Sequence, residues 1–263
     1  MRVAIKFAYD GRKYFGFARQ PGLKTVEEEV INILVKTGFI KGPKQSHFRS
    51  ASRTDKGVSA LGNVVAFITS SPLDCFFQKL NYELVDIFIY GISKVDDDFY
   101  PRHAKQRAYR YYLKKNIIEV DNLLSILSIF TGEHNFSNFA RVEEFKDPCR
   151  IIDNIVVSEQ NDFFVIDFYA QTFLWHQIRR IISAVEKVGK NALKLGQVRD
   201  ALEKPDEKVD FGLASAEPLI LRDVFYDVDN NTFSCKCAIN NLEKCVAAMD
   251  SKLEDCEIYK NKK

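Results

Sequence analysis

The sequence predicts an α+β protein built of two ferredoxin-like halves with mixed or antiparallel sheets. Three observations carry that expectation. Stretches of strand period two are interrupted by amphipathic helical stretches in the order of ferredoxin-like units. A similar grammar runs before and after a boundary near residues 96–105. The composition, 46% hydrophobic and 28% charged, sits close to the globular average, and 263 residues suffice for one large domain or two of about 130 each.

In the first strand Val3, Ile5 and Phe7 point one way, and Asp10-Gly11 ends the run with a turn. A helix starts at Thr25, where Glu28 three residues on makes a capping box. Val26, Val30, Ile33 and Leu34 share its apolar face, and Gly38 stops it. Strands at 47–52 and 63–69, a helix at 73–82 and a strand at 86–95 complete the first half. The second half runs through a long strand at 105–115, a helix at 121–131, strands at 150–158 and 163–170, and a helix at 174–189. A shorter helix at 196–204 and strands at 222–229 and 231–238 close it. The expected division is an N-terminal domain at 1–100, a C-terminal domain at 101–240 and a helical or loose charged tail at 241–263.

Net charge is only +2, a small total for a nucleic-acid binder, yet the charges are segregated. Residues 11–26 carry Arg12, Lys13, Arg19 and Lys24 without an acid. Residues 99–118 carry Arg102, Lys105, Arg107, Arg110, Lys114 and Lys115, again without one. Acids gather at 96–98, 203–210 and 250–257. Such segregation builds a positive face on a nearly neutral protein, or else marks solvated loops and strand ends. No apolar stretch approaches the ~20 residues that span a bilayer. The opening Met1-Arg2-Val3-Ala4-Ile5-Lys6-Phe7 reads as a strand, not as a leader, so a cytoplasmic protein with no membrane partner is expected. The six cysteines contain no CxxC pair, and Cys235, Cys237, Cys245 and Cys256 lack paired-knuckle spacing. No histidine falls in a metalloprotease or zinc-finger pattern either. No metal is expected.

Three stretches are candidates for chemistry. Residues 51–60 are dense in polar groups between two expected strands. A loop there, with Gly57 for backbone freedom, holds side chains out from a rigid sheet. Asp55 lies between Arg53 and Lys56, so cations are at hand for its carboxylate; the same residues also fit an ordinary Asx-type turn. Around 174–182 the apolar stripe of Leu174, Ile178, Ile181 and Val185 embeds Arg179 and Arg180 among large apolar residues. An arginine drawn into that face needs a carboxylate, whereas at the helix edge it reaches water. On the strand at 107–112, Tyr109 and Tyr111 share one face, Arg110 and Tyr112 the other. Rings beside arginines suit a flipped base, with a stacking plane and charge for phosphate. Tyrosine is equally a core residue of strands.

Together these stretches resemble the TruA family of tRNA pseudouridine synthases. Ser52-Arg53-Thr54-Asp55-Lys56-Gly57-Val58-Ser59-Ala60 is similar to the family signature almost residue for residue, with Asp55 on the catalytic aspartate. Agreement extends to Tyr9-Asp10-Gly11, Tyr14-Phe15-Gly16-Phe17, Thr25-Val26-Glu27, Tyr109-Arg110-Tyr111 and Gly132-Glu133-His134-Asn135-Phe136. It includes Phe173-Leu174-Trp175-His176-Gln177-Ile178-Arg179, so it covers residues 3–228. Ala18 stands where the family commonly has glutamine and Trp175 where it often has histidine or tyrosine. Around Leu219, Pro218 replaces a glycine and Ile220 a tyrosine.

The resemblance implies two α/β halves whose sheets join across a basic cleft, and a homodimer with a tRNA touching both subunits. It implies isomerisation of uridine to pseudouridine at positions 38–40 of the anticodon arm. Nothing is oxidised and no group enters or leaves, so no cofactor is expected. By resemblance Asp55 is the nucleophile or base towards the ribose, and Arg179 the cation that keeps it ionised. Tyr109 stacks on the uracil, Arg53 holds the flipped nucleotide or fills its vacated place, Leu219 lines the pocket, and Lys56 joins the substrate-binding set. The same signature would also serve a synthase acting on other tRNA uridines, or a silent tRNA-binding protein.

Overall fold

Apolar residues occupy both faces of the first strand, β1 (Arg2–Tyr9), which has a paired strand on either side. The computed structural model describes residues 1–73 and 76–227. After β1 come helix α1 (Val26–Lys36), strands β2 (Arg49–Ser50) and β3 (Ser59–Ile68), helix α2 (Phe76–Glu83) and strand β4 (Ile87–Lys94). Next are β5 (Gln106–Lys114), α3 (Val120–Ser128), β6 (Gly132–Asn135), β7 (Cys149–Ile152), β8 (Asn154–Gln160) and β9 (Phe163–Ala170). Helices α4 (Gln177–Gly189) and α5 (Leu195–Glu203) and strand β10 (Leu219–Phe225) follow. The expected strand at 231–238 and the tail lie outside the described residues. The contacts divide the chain into two units, Met1–Lys105 with the described residues from Ile220, and Gln106–Leu219.

In the first unit the strand order is β4-β1-β3-β2, every neighbour antiparallel, which is the ferredoxin-like βαββαβ arrangement. Val3, Ile5 and Phe7 are buried as the alternation predicts, but so are Ala4 and Ala8 on the opposite face. Lys6, between those alanines, is matched by an ion pair with Asp223. Strand β10 joins the start of β3 in parallel, Ile220 opposite Ser59 and Leu221 opposite Ala60, and makes the sheet mixed. This differs from the expected division at residue 100, which put the strand at 222–229 with the C-terminal half. Backbone pairing across more than a hundred residues leaves no periodic trace in a sequence. Helix α2 is tied to β4 by Asn81, whose Nδ2 donates to the Ile89 carbonyl at 2.7 Å and whose Oδ1 accepts the Ile89 N–H at 2.8 Å.

The expected capping box on α1 does not form. Thr25 precedes the helix in an extended conformation without a side-chain cap, and its hydroxyl is buried without a partner. The open N–H groups of Val26 and Glu27 are taken instead by the carbonyls of Gly16 at 3.3 Å and Phe17 at 2.9 Å. A distant loop thus supplies the acceptors that a first turn must find.

In the second unit β5-β9-β8 form an antiparallel sheet, and β6 and β7 pair apart from it. The strand expected at 150–158 is broken at Asp153. Its N–H donates to Tyr169 at 2.8 Å and its carboxylate accepts from Gln106 at 2.9 Å. The helix expected from residue 174 begins only at Gln177, because Gln177 Oε1 takes the Leu174 N–H at 2.8 Å and His176 turns left-handed with φ of 65°. Asn138, 2% exposed, anchors the loop after α5. Its Nδ2 donates to the carbonyls of Ala201 and Glu207, at 2.9 and 3.0 Å, and its Oδ1 accepts the Val209 N–H at 3.1 Å.

Directly opposed across β5 and β9, Arg110 and Asp167 make a bidentate pair with two bonds of 2.8 Å. Asp167 holds the guanidinium above its ordinary value. Charge-assisted bonds with both partners largely out of water are among the stronger ones. Asp167→Ala should lower unfolding stability in urea by about 2–3 kcal/mol. The Arg110→Ala/Asp167→Ala double variant should lose less than the two single losses summed, and full additivity would show that the pair contributes nothing.

Candidate active site

The loop between β2 and β3 is shaped by a tight turn. The Val58 N–H donates to the Asp55 carbonyl at 3.1 Å, and Gly57 occupies the third position with φ of 86°, a conformation that an L side chain strains. Arg53 and Lys56 point outward as exposed residues, Asp55 is half-buried, and Ser52, Thr54 and Val58 are buried. The loop is therefore a rigid base with charged residues set along its rim.

What anchors that base comes from β1 and the segment after it. The hydroxyls of Tyr9 and Thr54 are 2.8 Å apart. Asn63 on β3 donates to the Tyr9 hydroxyl at 3.4 Å and to the Ser52 carbonyl at 3.0 Å. Phe17 N–H donates to the Thr54 carbonyl at 3.0 Å and Gly11 N–H to the Ser59 hydroxyl at 3.0 Å. Gly11 is obligatory for the approach, since a Cβ there would lie 2.1 Å from the Val58 carbonyl oxygen. Above the loop, the Lys56 ammonium sits 4.4 Å from the centre of the Phe15 ring. These contacts account for the Tyr9-Asp10-Gly11 and Tyr14-Phe15-Gly16-Phe17 stretches as supports. Asn63 carried no sequence signal, because it acts on Tyr9 across 54 residues.

The remaining candidates lie in the second unit. Tyr109 on β5 is half-exposed and meets Phe173 edge to face at 5.3 Å. Its strand neighbour on the same face, Tyr111, is core: it is 1% exposed and bonds the Ser215 carbonyl at 3.3 Å. Arg179 is half-buried in the first turns of α4. Its Nε donates to the Ala214 carbonyl at 2.9 Å, and its own carbonyl accepts the Ala214 N–H at 3.1 Å. Arg180 turns the other way to Asp210, at 2.9 Å. Asp210 is held below the usual carboxylate range by the Gly212 N–H first and by Arg180 next. Leu219 is buried at the start of β10. The structure thus groups Arg53, Asp55 and Lys56 on one loop and joins Tyr109 through Phe173 to the segment leading into α4.

In the two basic runs, six of the ten cations meet carboxylates among the described residues. Arg12 pairs with Asp10 at 2.6 Å, Arg19 with Glu27 at 3.5 Å, and Lys24 with Glu29 and Asp86 at 3.5 and 3.3 Å. Lys105 meets Asp227 at 2.8 Å, Arg110 meets Asp167 at 2.8 Å and Lys115 meets Glu159 at 2.5 Å. Arg107 is 6% exposed and bonds the Gln171 carbonyl. The acids come from remote or flanking sequence, so a run free of acids in sequence still meets acids in the fold. Among the described residues no cluster of histidine, cysteine and acid could hold a metal ion, and no helix is long and apolar enough to cross a membrane.

Residues 126–227 match a family model described as tRNA pseudouridine synthase. A protein of Thermococcus sibiricus named tRNA pseudouridine synthase A is 46% identical over 230 residues, 86% of this chain and 85% of its own. The protein of that name from Pyrococcus abyssi is 42% identical over 229 residues, again 86% and 85%. The chain belongs to this family. Its members are isomerases, and the tRNA pseudouridine synthase A of Methanocella arvoryzae is still 38% identical over 230 residues, 86% of this chain and 85% of its own. A solved H/ACA RNP bound to a substrate RNA containing 2′-deoxyuridine aligns over 72% of this chain and 48% of its own, at 13% identity and a TM-score of 0.34, a likeness too slight to build on.

For a pseudouridine synthase of this family the backbone of the Asp55 loop is open to a direct test. Gly57→Ala strains the turn by roughly 1–2 kcal/mol, so the melting temperature should fall and pseudouridine formation should fall with it. A variant with wild-type melting and wild-type turnover would show that the turn tolerates a side chain.

Proposed function

We propose that this enzyme isomerises uridine to pseudouridine in the anticodon arm of tRNA, at positions 38–40, with Asp55 as nucleophile or base on a flipped uridine. The observation that carries the proposal is the Asp55 loop. It offers a half-buried carboxylate on a turn held by buried hydrogen bonds, flanked by the exposed cations Arg53 and Lys56. Such a loop presents one acid to a ligand without yielding its position.

The reaction breaks the N1–C1′ bond and forms C5–C1′; the proton on C5 is lost and one is gained at N1. Atoms balance without an oxidant or a donor group. The base must first leave its stack. In the proposed scheme a carboxylate acts at the ribose, by attack at C1′ or removal of the 2′ proton. Excluding water disfavours a charged carboxylate, and a nearby guanidinium offsets this. Arg179 takes that part, with Nε fixed on Ala214. Tyr109 offers a half-exposed ring edge-locked by Phe173, suited to stack on uracil. Arg53 and Lys56 hold the displaced nucleotide, and Leu219 lines its pocket. We also infer a cytoplasmic homodimer from the family resemblance, to be checked by sedimentation.

Mapping pseudouridine at single-nucleotide level in tRNA transcripts tests the scheme. Wild-type protein should modify positions 38–40, and Asp55→Asn should lower the rate by roughly 10²–10⁴-fold or more while melting like wild type. Turnover in Asp55→Asn close to the wild-type rate removes Asp55 from the chemistry. Modification at other uridines would correct the position, and tRNA binding without any pseudouridine would overturn the activity.

A further inference from the structure

An exposed cation outside the two basic runs is held by a ring instead of an acid. Arg141, in the loop after β6, is exposed and meets no carboxylate among the described residues. Its guanidinium lies 4.2 Å from the centre of the ring of Trp175, the chain's single tryptophan. That indole is itself 43% exposed, although a tryptophan buried in the core would remove far more apolar surface from water.

The backbone holds the pair in place. Arg141 and Trp175 form an isolated antiparallel bridge, with the Arg141 N–H donating to the Trp175 carbonyl at 2.8 Å. On one side of Trp175, the Leu174 N–H is held by the Gln177 side chain at 2.8 Å. On the other, His176 is left-handed with φ of 65°, a conformation that costs a non-glycine residue roughly 1–2 kcal/mol, and its ring lies 5.0 Å from the indole. Strain is accepted beside a tryptophan that remains outward. The result is a preorganised pair of indole and guanidinium whose positive charge meets no carboxylate among the described residues.

We propose that Arg141 and Trp175 form a stacking platform for one unpaired nucleotide of the tRNA substrate. The nucleobase lies against the indole, and its phosphate is drawn to Arg141. Base-on-aromatic stacking needs only a π face and so tolerates any base, and a guanidinium both stacks on a ring and pairs with phosphate. A carboxylate-bearing or apolar partner would use only one of the two groups. The proposal rests on tRNA being the substrate. It assigns to Trp175 and Arg141 a positioning role outside the chemistry of Asp55.

Because Trp175 is the only tryptophan, its emission reports the platform without a label. Titrating wild-type protein with unmodified tRNA transcript should quench that emission along the saturation curve measured by filter binding. Trp175→Leu should raise KM for tRNA on the order of ten- to a hundred-fold while kcat moves far less, and Trp175→Phe should recover most of the loss. Arg141→Ala, which leaves the indole in place, should weaken quenching and raise KM. Emission unmoved at saturating tRNA, or a wild-type KM in Trp175→Leu, overturns the platform. Pseudouridine is assayed in the same samples. Quenching without product would leave the platform standing and sink the activity; product without quenching would do the reverse.

Discussion

Tyr9 closes β1 with only 1% of its surface exposed, and a hydroxyl taken that far from water must find partners inside the protein. It finds Thr54 at 2.8 Å and Asn63 at 3.4 Å. Each such bond contributes about 1 kcal/mol net, but leaving a buried group unsatisfied costs roughly 1–3 kcal/mol. The penalty therefore pins the position of Thr54, and with it the residue that follows, Asp55. Gly11 pressed against Val58 and the Phe17 N–H on the Thr54 carbonyl close the remaining freedom. The same segment caps α1 through the Gly16 and Phe17 carbonyls, so the support of the site and the start of the helix are one piece of chain.

Charge is arranged by the same economy of partners. Basic residues that cluster in sequence meet acids drawn from other strands, helices and chain segments, as Lys24 does with Asp86 and Lys115 with Glu159. Exposed pairs of this kind add little stability. Their effect is to remove diffuse positive charge, which leaves cations such as Arg53, Lys56 and Arg141 as local features. A near-neutral RNA-modifying enzyme can in this way keep its attraction for phosphate confined to a few positions.

Much of the fold was legible. The apolar faces of α1 and α4, the alternation in β1 and β5, and the Asp10-Gly11 turn are short-range patterns that secondary structure imposes on any chain. The polar loop around Asp55 was legible for the same reason, lying between two strand patterns with a glycine at its turn. The capping box at Thr25 misled because a local motif competes with tertiary acceptors, and here the Gly16 and Phe17 carbonyls took the N–H groups first. The strand across 150–158 misled because hydrogen bonds at Asp153 send its two halves to different sheets. Of the two tyrosines on one face of β5, pattern could not say which was core; the Ser215 carbonyl and close packing around Tyr111 decided it.

The sequence by itself determined the α+β class, most of the strands and helices, and the loop that carries Asp55 between its flanking cations. Those properties follow from residue types at short spacing, where periodicity and turn chemistry act. Tertiary structure alone decided that β10 pairs in parallel with β3, that Asn63 and Tyr9 brace the loop, and that the basic runs are matched by acids. It also set Arg141 over the ring of an outward Trp175, across 34 residues of chain. Hydrogen bonds and ion pairs between distant residues depend on where the backbone brings them, and no local pattern records that.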